Sequence, residues 1–393
     1  MSPQKTTKRA KSAKPAKRVT TRPVRKDRTR VLVLVGTRKG AFIFESDRAR
    51  KKWAMTGPHM QGWGVNHITL DKRGGAPGVI FAAFNHEVYG ANIHRSSDLG
   101  KTWQMADGPR FPTDANAGKK VARIWRVEPG HASRPDEVWA GVDPASLFKS
   151  EDGGQTWSPV DSLNEHATRE KWVPGAGGLI LHSIIPHPSD PKRMHVAISA
   201  AGVFRTEDGG ATWSPKNHGT KACFLPEGQQ WPEVGQCCHH LVMSPTNPEV
   251  FFQQNHCGVY RTENGGDEWT DIGEGLPAKF GFPMAIHSHE EQTIYIVPEV
   301  SDEYRYVPGG AMAVYRSRNG GRKWERLSRG LPNKDAYLHV FREGMATDTC
   351  DSCGVYVGTG TGQVFFSRNA GDSWEMLADF LPPIYSVATA VDG

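Results

Sequence analysis

Six stretches of the chain share one pattern: Ser or Thr, any residue, Asp or Asn, any residue, Gly, any two residues, and then Trp. They read SSDLGKTW (Ser96–Trp103), SEDGGQTW (Ser150–Trp157), TEDGGATW (Thr206–Trp213), TENGGDEW (Thr262–Trp269), SRNGGRKW (Ser317–Trp324) and SRNAGDSW (Ser367–Trp374). A seventh copy, ESDRARKKW (Glu45–Trp53), keeps the Asp and the Trp but has one extra residue between them and no Gly. The Trp residues of successive copies are separated by 50, 54, 56, 56, 55 and 50 positions. This regular spacing indicates a chain built from seven structural repeats.

The residue types in the pattern are those of a tight hairpin turn. Asp and Asn accept hydrogen bonds from backbone N–H groups a few residues on, and Gly adopts positive φ without steric cost. The Trp that follows is expected to bury its ring against the sheet. We predict a structural role for the Asp residues, because acids spread over six units cannot converge on one substrate.

Each repeat reads as four short strands. In the fourth unit we predict strands over 179–188, 193–200, 201–210 and 212–215, on the basis of alternating and β-branched residues. Four-stranded units at a fixed period predict a β-propeller, in which the blades are arranged around a central channel.

The two ends of the chain predict how the ring closes. Residues 30–37 (RVLVLVGT) resemble the second strand of a blade, and no first strand precedes them. Residues 384–391 (IYSVATAV) can supply that strand by pairing with residues 31–36. The prediction is an all-β, seven-bladed propeller of four-stranded antiparallel blades, closed by the C-terminal strand and without a free edge in the first blade.

The charge is concentrated in the first 30 residues. Residues 1–30 contain twelve Lys or Arg and one Asp, which leaves 36 basic and 41 acidic groups in the rest of the chain. We therefore predict a disordered basic tail over 1–30 and a single propeller domain over 31–393. The tail is either a solvated extension or a segment that contacts nucleic acid or an anionic surface, and an organelle transit peptide stays open. No apolar run is long enough for membrane insertion.

Six Cys in 393 residues are too few for a disulfide scaffold, so we expect reduced thiols and a cytoplasmic protein. The vicinal pair Cys237–Cys238 and the isolated Cys350-x-x-Cys353 lack the second ligand pair of a structural zinc site.

The Ser/Thr-x-Asp-x-Gly-x-x-Trp pattern resembles the Asp-box, or BNR, repeat, and the resemblance covers about residues 31–391. Members of that β-propeller family include sialidases, xyloglucan-type glycosidases, the sortilin receptor domain and photosystem II assembly factors. The GTRKGAF opening and the AGG…CHH middle of this chain also resemble sialidase-like glycosyl hydrolases. The resemblance implies the fold and leaves the activity open.

Long loops predict one functional face. The segments 104–121, 158–179, 214–237 and 298–310 are much longer than a hairpin needs, and such loops usually carry function. The leading interpretation is a propeller that binds a small polar ligand, a glycan or a protein on this face, without a cofactor. The candidate binding residues are Arg38, His67, Arg123, Trp125, Trp172, His182, Trp231, His239, His240, Tyr304, Arg305 and His339.

Two enzymatic alternatives use the same face. A glycoside hydrolase needs two carboxylates, and the candidates are Glu87, Asp143 and Glu299, with Asp302 as a further acid. If the enzyme is of the exo-sialidase type, Arg38, Arg123 and Arg305 are candidates to hold the substrate carboxylate, but the aromatic-Arg-Ile-Pro motif of sialidases is absent and sialidases have six blades.

The second alternative is a metal enzyme with four histidine ligands at the channel. His67, His182, His239 and His339 occupy similar places on four predicted first strands.

Overall fold

The computed structural model describes residues 29–75, 77–112, 119–175 and 177–392. The described chain forms seven four-stranded antiparallel sheets, so the predicted seven-bladed propeller is confirmed. Blade 1 contains β1 (Arg30–Thr37), β2 (Gly40–Asp47) and β3 (Ala54–His59). Blade 2 contains β4 (Gly64–Asp71), β5 (Val79–His86), β6 (Gly90–Ser96) and β7 (Gln104–Met105). Blade 3 contains β8 (Arg123–Pro129), β9 (Val138–Asp143), β10 (Ser146–Ser150) and β11 (Ser158–Pro159).

The remaining blades repeat this order. Blade 4 contains β12 (Leu181–Pro186), β13 (Met194–Ile198), β14 (Gly202–Thr206) and β15 (Ser214–Pro215). Blade 5 contains β16 (Cys238–Met243), β17 (Phe251–Asn255), β18 (Gly258–Thr262) and β19 (Thr270–Asp271). Blade 6 contains β20 (Gly281–Ile286), β21 (Ile294–Pro298), β22 (Val314–Ser317) and β23 (Glu325–Leu327). Blade 7 contains β24 (Met345–Thr347), β25 (Val355–Gly358), β26 (Val364–Ser367) and β27 (Glu375–Ala378), and the last strand, β28 (Ile384–Asp392), returns to blade 1.

Helix is confined to short turns in the described residues. These are α1 (Asp161–Asn164) and two 3₁₀ turns, Arg169–Lys171 and Pro308–Gly310. Among the residues that the structure describes, no helix has the length and apolar character needed to span a membrane.

β28 closes the ring as the sequence predicts. It pairs with β1 in antiparallel register, with Val391 opposite Val31 and Ile384 opposite Thr37. Val387 is 6% exposed and packs with side chains of blades 1 and 7. Arg30, which the sequence places in the basic tail, is instead the first residue of β1 and bonds Asp392 at 2.8 Å. Residues 1–28 of the predicted tail lie outside the described residues.

The repeated turns have the chemistry that their sequence predicts. In all six copies the Ser or Thr hydroxyl accepts a hydrogen bond from the Gly N–H, at distances from 2.8 to 3.1 Å. The Asp or Asn Oδ1 accepts a bond of 2.9 to 3.0 Å from the backbone N–H four residues on. Asp and Asn therefore stabilise the same turn in different blades.

The degenerate seventh copy becomes a second connection between the first and last blades. Arg50 lies in the turn with φ of 51°, a conformation that Gly adopts more easily. Its buried guanidinium bonds Asp348 of blade 7 at 2.8 Å, and the Tyr356 hydroxyl donates to the same carboxylate at 2.8 Å. The departure from the repeat thus places an ion pair at the junction where the ring closes.

Most innermost strands carry one extra residue. In blades 1 to 6 the pairing register between the innermost strand and the next strand shifts at this extra residue. A β-bulge of this kind redirects a side chain away from the regular ladder. The bulged positions in blades 1 to 6 are Tyr385, Asn66, Trp125, His182, His239 and the Phe282–Pro283 pair. The repeat pattern predicts His67 at the place in blade 2 that Asn66 occupies, and this displacement by one residue reverses the direction of the side chain.

Ring closure generates a first prediction. Val387→Asp places a charge in the buried junction, so the free energy of unfolding should fall by roughly 2–5 kcal/mol. Val88 is 79% exposed, so Val88→Asp should change the same free energy by less than about 0.5 kcal/mol. Chemical denaturation of both variants measures the difference, and equal small effects would contradict the closure.

The repeated turns generate a second prediction. Hydrogen bonds from Thr102 and from Thr212 lower the pKa values of Asp98 and Asp208 to about 2. At Asp152 burial acts in the opposite direction, but bonds from Thr156 and Ser150 outweigh it and the pKa is again about 2.

Because these pKa values are depressed on folding, their contribution to stability is present above about pH 4 and is lost as the pH falls towards 2. The triple variant Asp98→Asn, Asp152→Asn, Asp208→Asn should keep the turns, as Asn264 does in blade 5. Its stability should therefore decline less than that of the wild type between pH 4 and pH 2 in thermal denaturation. If the stability of the two proteins depends on pH in the same way, folding does not lower the pKa values of these carboxylates.

Candidate functional site

A cavity of about 680 Å³ opens on the face formed by three of the four long loops. Segments 158–179, 214–237 and 298–310 all contribute to its wall, together with residues of the innermost strands. Five aromatic side chains line it: Trp125, Phe224, Phe280, Phe282 and Phe341. Nine polar or ionisable residues lie among them: Ser199, Cys237, His239, His256, Glu299, Asp302, Arg305, His339 and Arg342. An apolar wall with a few polar groups is typical of a small-molecule site.

The bulges explain how the strands contribute to this cavity. Trp125, His239 and Phe282 are bulged positions of blades 3, 5 and 6, and all three line it. In blade 4 the bulged His182 is instead buried and hydrogen-bonded to the Ser183 hydroxyl and to the Cys238 carbonyl, each at 2.9 Å.

Glu299 is the most unusual acid of the cavity. It follows β21 directly, and the residue is fully buried. Its Oε1 accepts a hydrogen bond from the Val340 N–H at 3.2 Å, while Oε2 has no partner. Burial raises the pKa of this carboxyl to about 7. Glu299 is therefore largely protonated below neutral pH, and one oxygen is uncommitted.

Asp302 provides a second carboxylate at the same cavity in a different environment. Its side chain is 57% exposed, and its Oδ2 lies 3.6 Å from Nε2 of His256. Arg305, three residues on, lies over the ring of Phe282 at 5.4 Å. The loop 298–310 thus brings a buried acid, an exposed acid and a guanidinium to one cavity.

Arg342 is a buried guanidinium between two aromatic rings. It lies 5.7 Å from the Trp125 ring and 5.5 Å from the Phe282 ring, and its Nη1 has no hydrogen-bond partner. No carboxylate lies within ion-pair distance of it among the described residues. Arg342 and Arg305 therefore leave the cavity with positive charge available to a polar ligand.

Three of the cavity residues form a group of possible metal ligands. One donor atom from each of Cys237, His239 and His256 lies within 4.8 Å of the other two. The four histidines of the metal-enzyme hypothesis are not grouped in this way in the described part of the chain. His67 accepts a bond from the Val127 N–H at 3.4 Å, and His182 is bonded as above. The prediction that His339 lies on the innermost strand of blade 7 is wrong, because that strand, β24, begins at Met345 and His339 lies in the irregular segment before it. Of the four, His239 is the one that belongs to the group.

The structure separates the other predicted site residues into several places. Arg38, Glu87 and Arg123 line a neighbouring cavity of about 630 Å³, which shares Trp125 and Phe341 with the first. Asp143 pairs with Arg123 at 3.0 Å. His240 faces Glu343 at 3.6 Å, and Glu343 in turn pairs with Arg126 at 2.7 Å.

Three aromatic candidates do not line either cavity. Trp172 is 4% exposed because the loop that carries it folds into α1 and a 3₁₀ turn, and its ring packs in the core around Phe204. Trp231 and Tyr304 are 63% and 52% exposed. Of the predicted binding residues, the main cavity collects Trp125, His239, Arg305 and His339.

The sequence interpretation missed Phe282 and Arg342 as site residues. Phe282 lies at the start of the innermost strand of blade 6, where a bulge turns it towards the cavity, and sequence spacing alone does not reveal a bulge. Arg342 lies in the irregular segment before β24, so no strand periodicity marks its direction.

Cys223 and Cys257 form a disulfide, with Cα atoms 5.7 Å apart. The expectation of reduced thiols is wrong for this pair, because the loop 214–237 folds back onto the turn between β17 and β18. The other four Cys are free. The cytoplasmic location stays a prediction. The disulfide bears on it because disulfides persist in oxidising compartments and are rare in the cytoplasm.

Comparison with known proteins supports the fold and gives a distant relation to glycoside hydrolases. No family model matches the chain. It is 24% identical over 262 residues to an oligoxyloglucan-reducing end-specific xyloglucanase of Emericella nidulans, which covers 59% of this chain and 30% of that protein. It is 24% identical over 271 residues to a xyloglucanase of a Paenibacillus species, covering 62% of this chain and 24% of the relative. The chain thus spans less than a third of the length of these curated relatives.

Solved structures agree on the architecture. An ancestral GH74 enzyme superposes with a TM-score of 0.52 at 16% identity, covering 80% of this chain and 38% of that chain. YCF48 from Cyanidioschyzon merolae gives 0.53 at 15% identity, covering 80% and 84%. AztD from Citrobacter koseri gives 0.54 at 11% identity, covering 93% and 99%. The chain is therefore similar in fold to several β-propellers and in sequence, at low identity, to xyloglucanases.

The buried carboxyl generates a third prediction. Because burial raises the pKa of Glu299 to about 7, its contribution to stability is complete below about pH 4.5 and is lost as the pH rises through 7. The stability of the wild type relative to Glu299→Gln should therefore fall by roughly 2 kcal/mol between pH 5 and pH 8.

Chemical unfolding at the two pH values measures this difference. Glu87→Gln, which replaces an exposed carboxylate, serves as the matched control. If the effect of Glu299→Gln on the free energy of unfolding is as independent of pH as the effect of Glu87→Gln, the pKa of the buried carboxyl is not raised.

Proposed function

We propose that the main cavity binds a glycan and hydrolyses a glycosidic bond, with Glu299 as the general acid. The observation that carries this proposal is the uncommitted Oε2 of Glu299, a buried and largely protonated carboxyl at an aromatic-walled cavity. Glycoside hydrolysis needs one carboxyl that donates a proton to the leaving oxygen and a second that acts while ionised.

Glu299 has the properties of the proton donor. A pKa of about 7 keeps its proton in place at mildly acidic pH, and it can still ionise within the catalytic cycle. Since Val340 occupies only Oε1, the proton on Oε2 faces no competing acceptor among the described residues. A glycosidic oxygen placed against Oε2 would take that proton as the bond to the sugar breaks.

Asp302 is the partner carboxylate in this proposal. It is more than half exposed at the cavity, in contrast to the buried Glu299, and its Oδ2 lies 3.6 Å from Nε2 of His256. A glycoside hydrolase needs a second carboxylate that acts as base or nucleophile, and Asp302 is the other acid that lines this cavity. Asp302 would deprotonate the attacking water or attack the sugar directly.

The remaining wall suits a carbohydrate. Aromatic faces such as Trp125 and Phe282 can pack against the apolar face of a sugar ring, and the guanidiniums of Arg305 and Arg342 can donate hydrogen bonds to its oxygens. The xyloglucanase names of the curated relatives support this substrate class and make xyloglucan oligosaccharides the first choice for an assay. An exo-sialidase activity has no comparable support.

A substrate screen tests the proposal. Wild-type protein should release reducing ends from xyloglucan oligosaccharides or from a chromogenic glycoside, and kcat/KM should fall as the pH rises above 7 and Glu299 loses its proton. Glu299→Gln should lower kcat by roughly 100- to 10,000-fold, and Asp302→Asn should also lower it strongly. Glu303→Gln, an exposed neighbour outside the cavity lining, should leave kcat unchanged.

Binding assays separate the outcomes. If no glycosidic bond is cleaved but a glycan binds in the cavity, hydrolysis is wrong and the propeller is a binding module. If Glu299→Gln retains full turnover, Glu299 is not the acid.

A further inference from the structure

The strongest feature outside the proposed acid pair is the Cys237, His239 and His256 group on blade 5. Cys237 directly precedes β16, His239 is the bulged residue of that strand, and His256 lies in the turn between β17 and β18. All three line the main cavity, and their donor atoms lie within 4.8 Å of one another.

His239 is oriented as a metal ligand. Its Nδ1 lies 2.6 Å from the Gly281 carbonyl oxygen, and because a carbonyl only accepts, Nδ1 carries the proton. The lone pair is therefore on Nε2, which lies 3.5 Å from the Cys237 sulfur. An imidazole fixed in this way by a backbone carbonyl is the usual arrangement behind a metal-bound histidine.

The surroundings hold both rings in place. The His239 ring stacks on Phe282 at 4.6 Å, and the His256 ring meets Phe280 edge-on at 5.2 Å. The Cys223–Cys257 disulfide fixes the residue next to His256, and Phe224 beside Cys223 also contacts the His256 ring at 5.5 Å. The ligand group is therefore preorganised by apolar contacts and a covalent bond.

We propose that Cys237, His239 and His256 bind a zinc ion on the wall of the main cavity, with the fourth coordination position open to the cavity. Zinc bonds of about 2.0–2.3 Å in a tetrahedral site place neighbouring donors roughly 3.3–3.8 Å apart. The 3.5 Å between Cys237 and His239 already has this value, and small side-chain rotations bring His256 into range.

The donor set selects the metal. Sulfur and imidazole nitrogen favour zinc and other late transition metals over calcium or magnesium, which take oxygen ligands. The Cys237 thiolate and the Asp302 carboxylate, which lies 3.6 Å from Nε2 of His256, together carry two negative charges, which equal in magnitude the charge of a zinc ion. A zinc ion with an open position binds water or a ligand oxygen from the cavity.

The zinc site does not depend on the proposed hydrolysis, because it is measured without a glycan. The full-length protein is treated with a chelator and desalted without reductant under anaerobic conditions, so that the disulfide stays intact and Cys237 stays reduced. Zinc is then titrated against a chromophoric chelator, and cobalt is added to a parallel sample.

The wild type should bind one zinc per chain, and cobalt should give a thiolate-to-metal charge-transfer band in the near ultraviolet. Cys237→Ser should lose that band and bind zinc at least about tenfold more weakly. His256→Gln, a change in a turn, should weaken zinc binding similarly. Cys238→Ser and His131→Ala, which alter a thiol and an imidazole outside the group, should retain both signals.

Alkylation of the unmutated protein gives a reading that needs no variant. Zinc should slow the reaction of Cys237 with iodoacetamide, as located by peptide mass analysis. Absence of a stoichiometric zinc, or zinc binding that is unchanged in Cys237→Ser and in His256→Gln, would overturn the proposal.

Discussion

The antiparallel pairing of β28 with β1 is the contact on which the rest of the molecule depends. β1 is buried on both faces: Leu32 and Leu34 pack towards blade 2, and Val33 and Val35 pack towards blade 7. A strand buried in this way has no stable position outside a closed ring, because either face would expose a row of aliphatic side chains to water. The first and last parts of the chain therefore form one blade, and the Arg50–Asp348 ion pair ties that blade to its neighbour.

Closure has a functional consequence because it brings distant segments to one axis. Glu299 is held by the backbone of Val340, and Arg342 lies between Trp125 and Phe282. These residues come from blades 3, 6 and 7. The bulges of the innermost strands add a second device: the same backbone irregularity presents Trp125, His239 or Phe282, depending on the blade. The scaffold is thus repetitive while the cavity is chemically varied.

The amino-acid sequence predicts the scaffold well and the site only in part. The turn chemistry repeats at a fixed spacing, so the number of blades, the strand order and the closing strand follow from local pattern. The bulges depend on pairing between strands, which a local sequence pattern does not show. For this reason the sequence predicts His67 at the position that Asn66 occupies. Burial of Trp172 depends on how a long loop folds, and the disulfide between Cys223 and Cys257 depends on where two loops meet. Loop packing of this kind carries no periodic signal.

Hydrogen exchange in the native protein tests the closed ring most directly. The hydrogen-bonded amides of residues 31–36 and 385–391 should exchange only through global unfolding, at the rate of the central strand β13 in blade 4. Exchange of residues 385–391 at the rate of an exposed loop, while β13 stays protected, would contradict the closure and the cavity that is built on it.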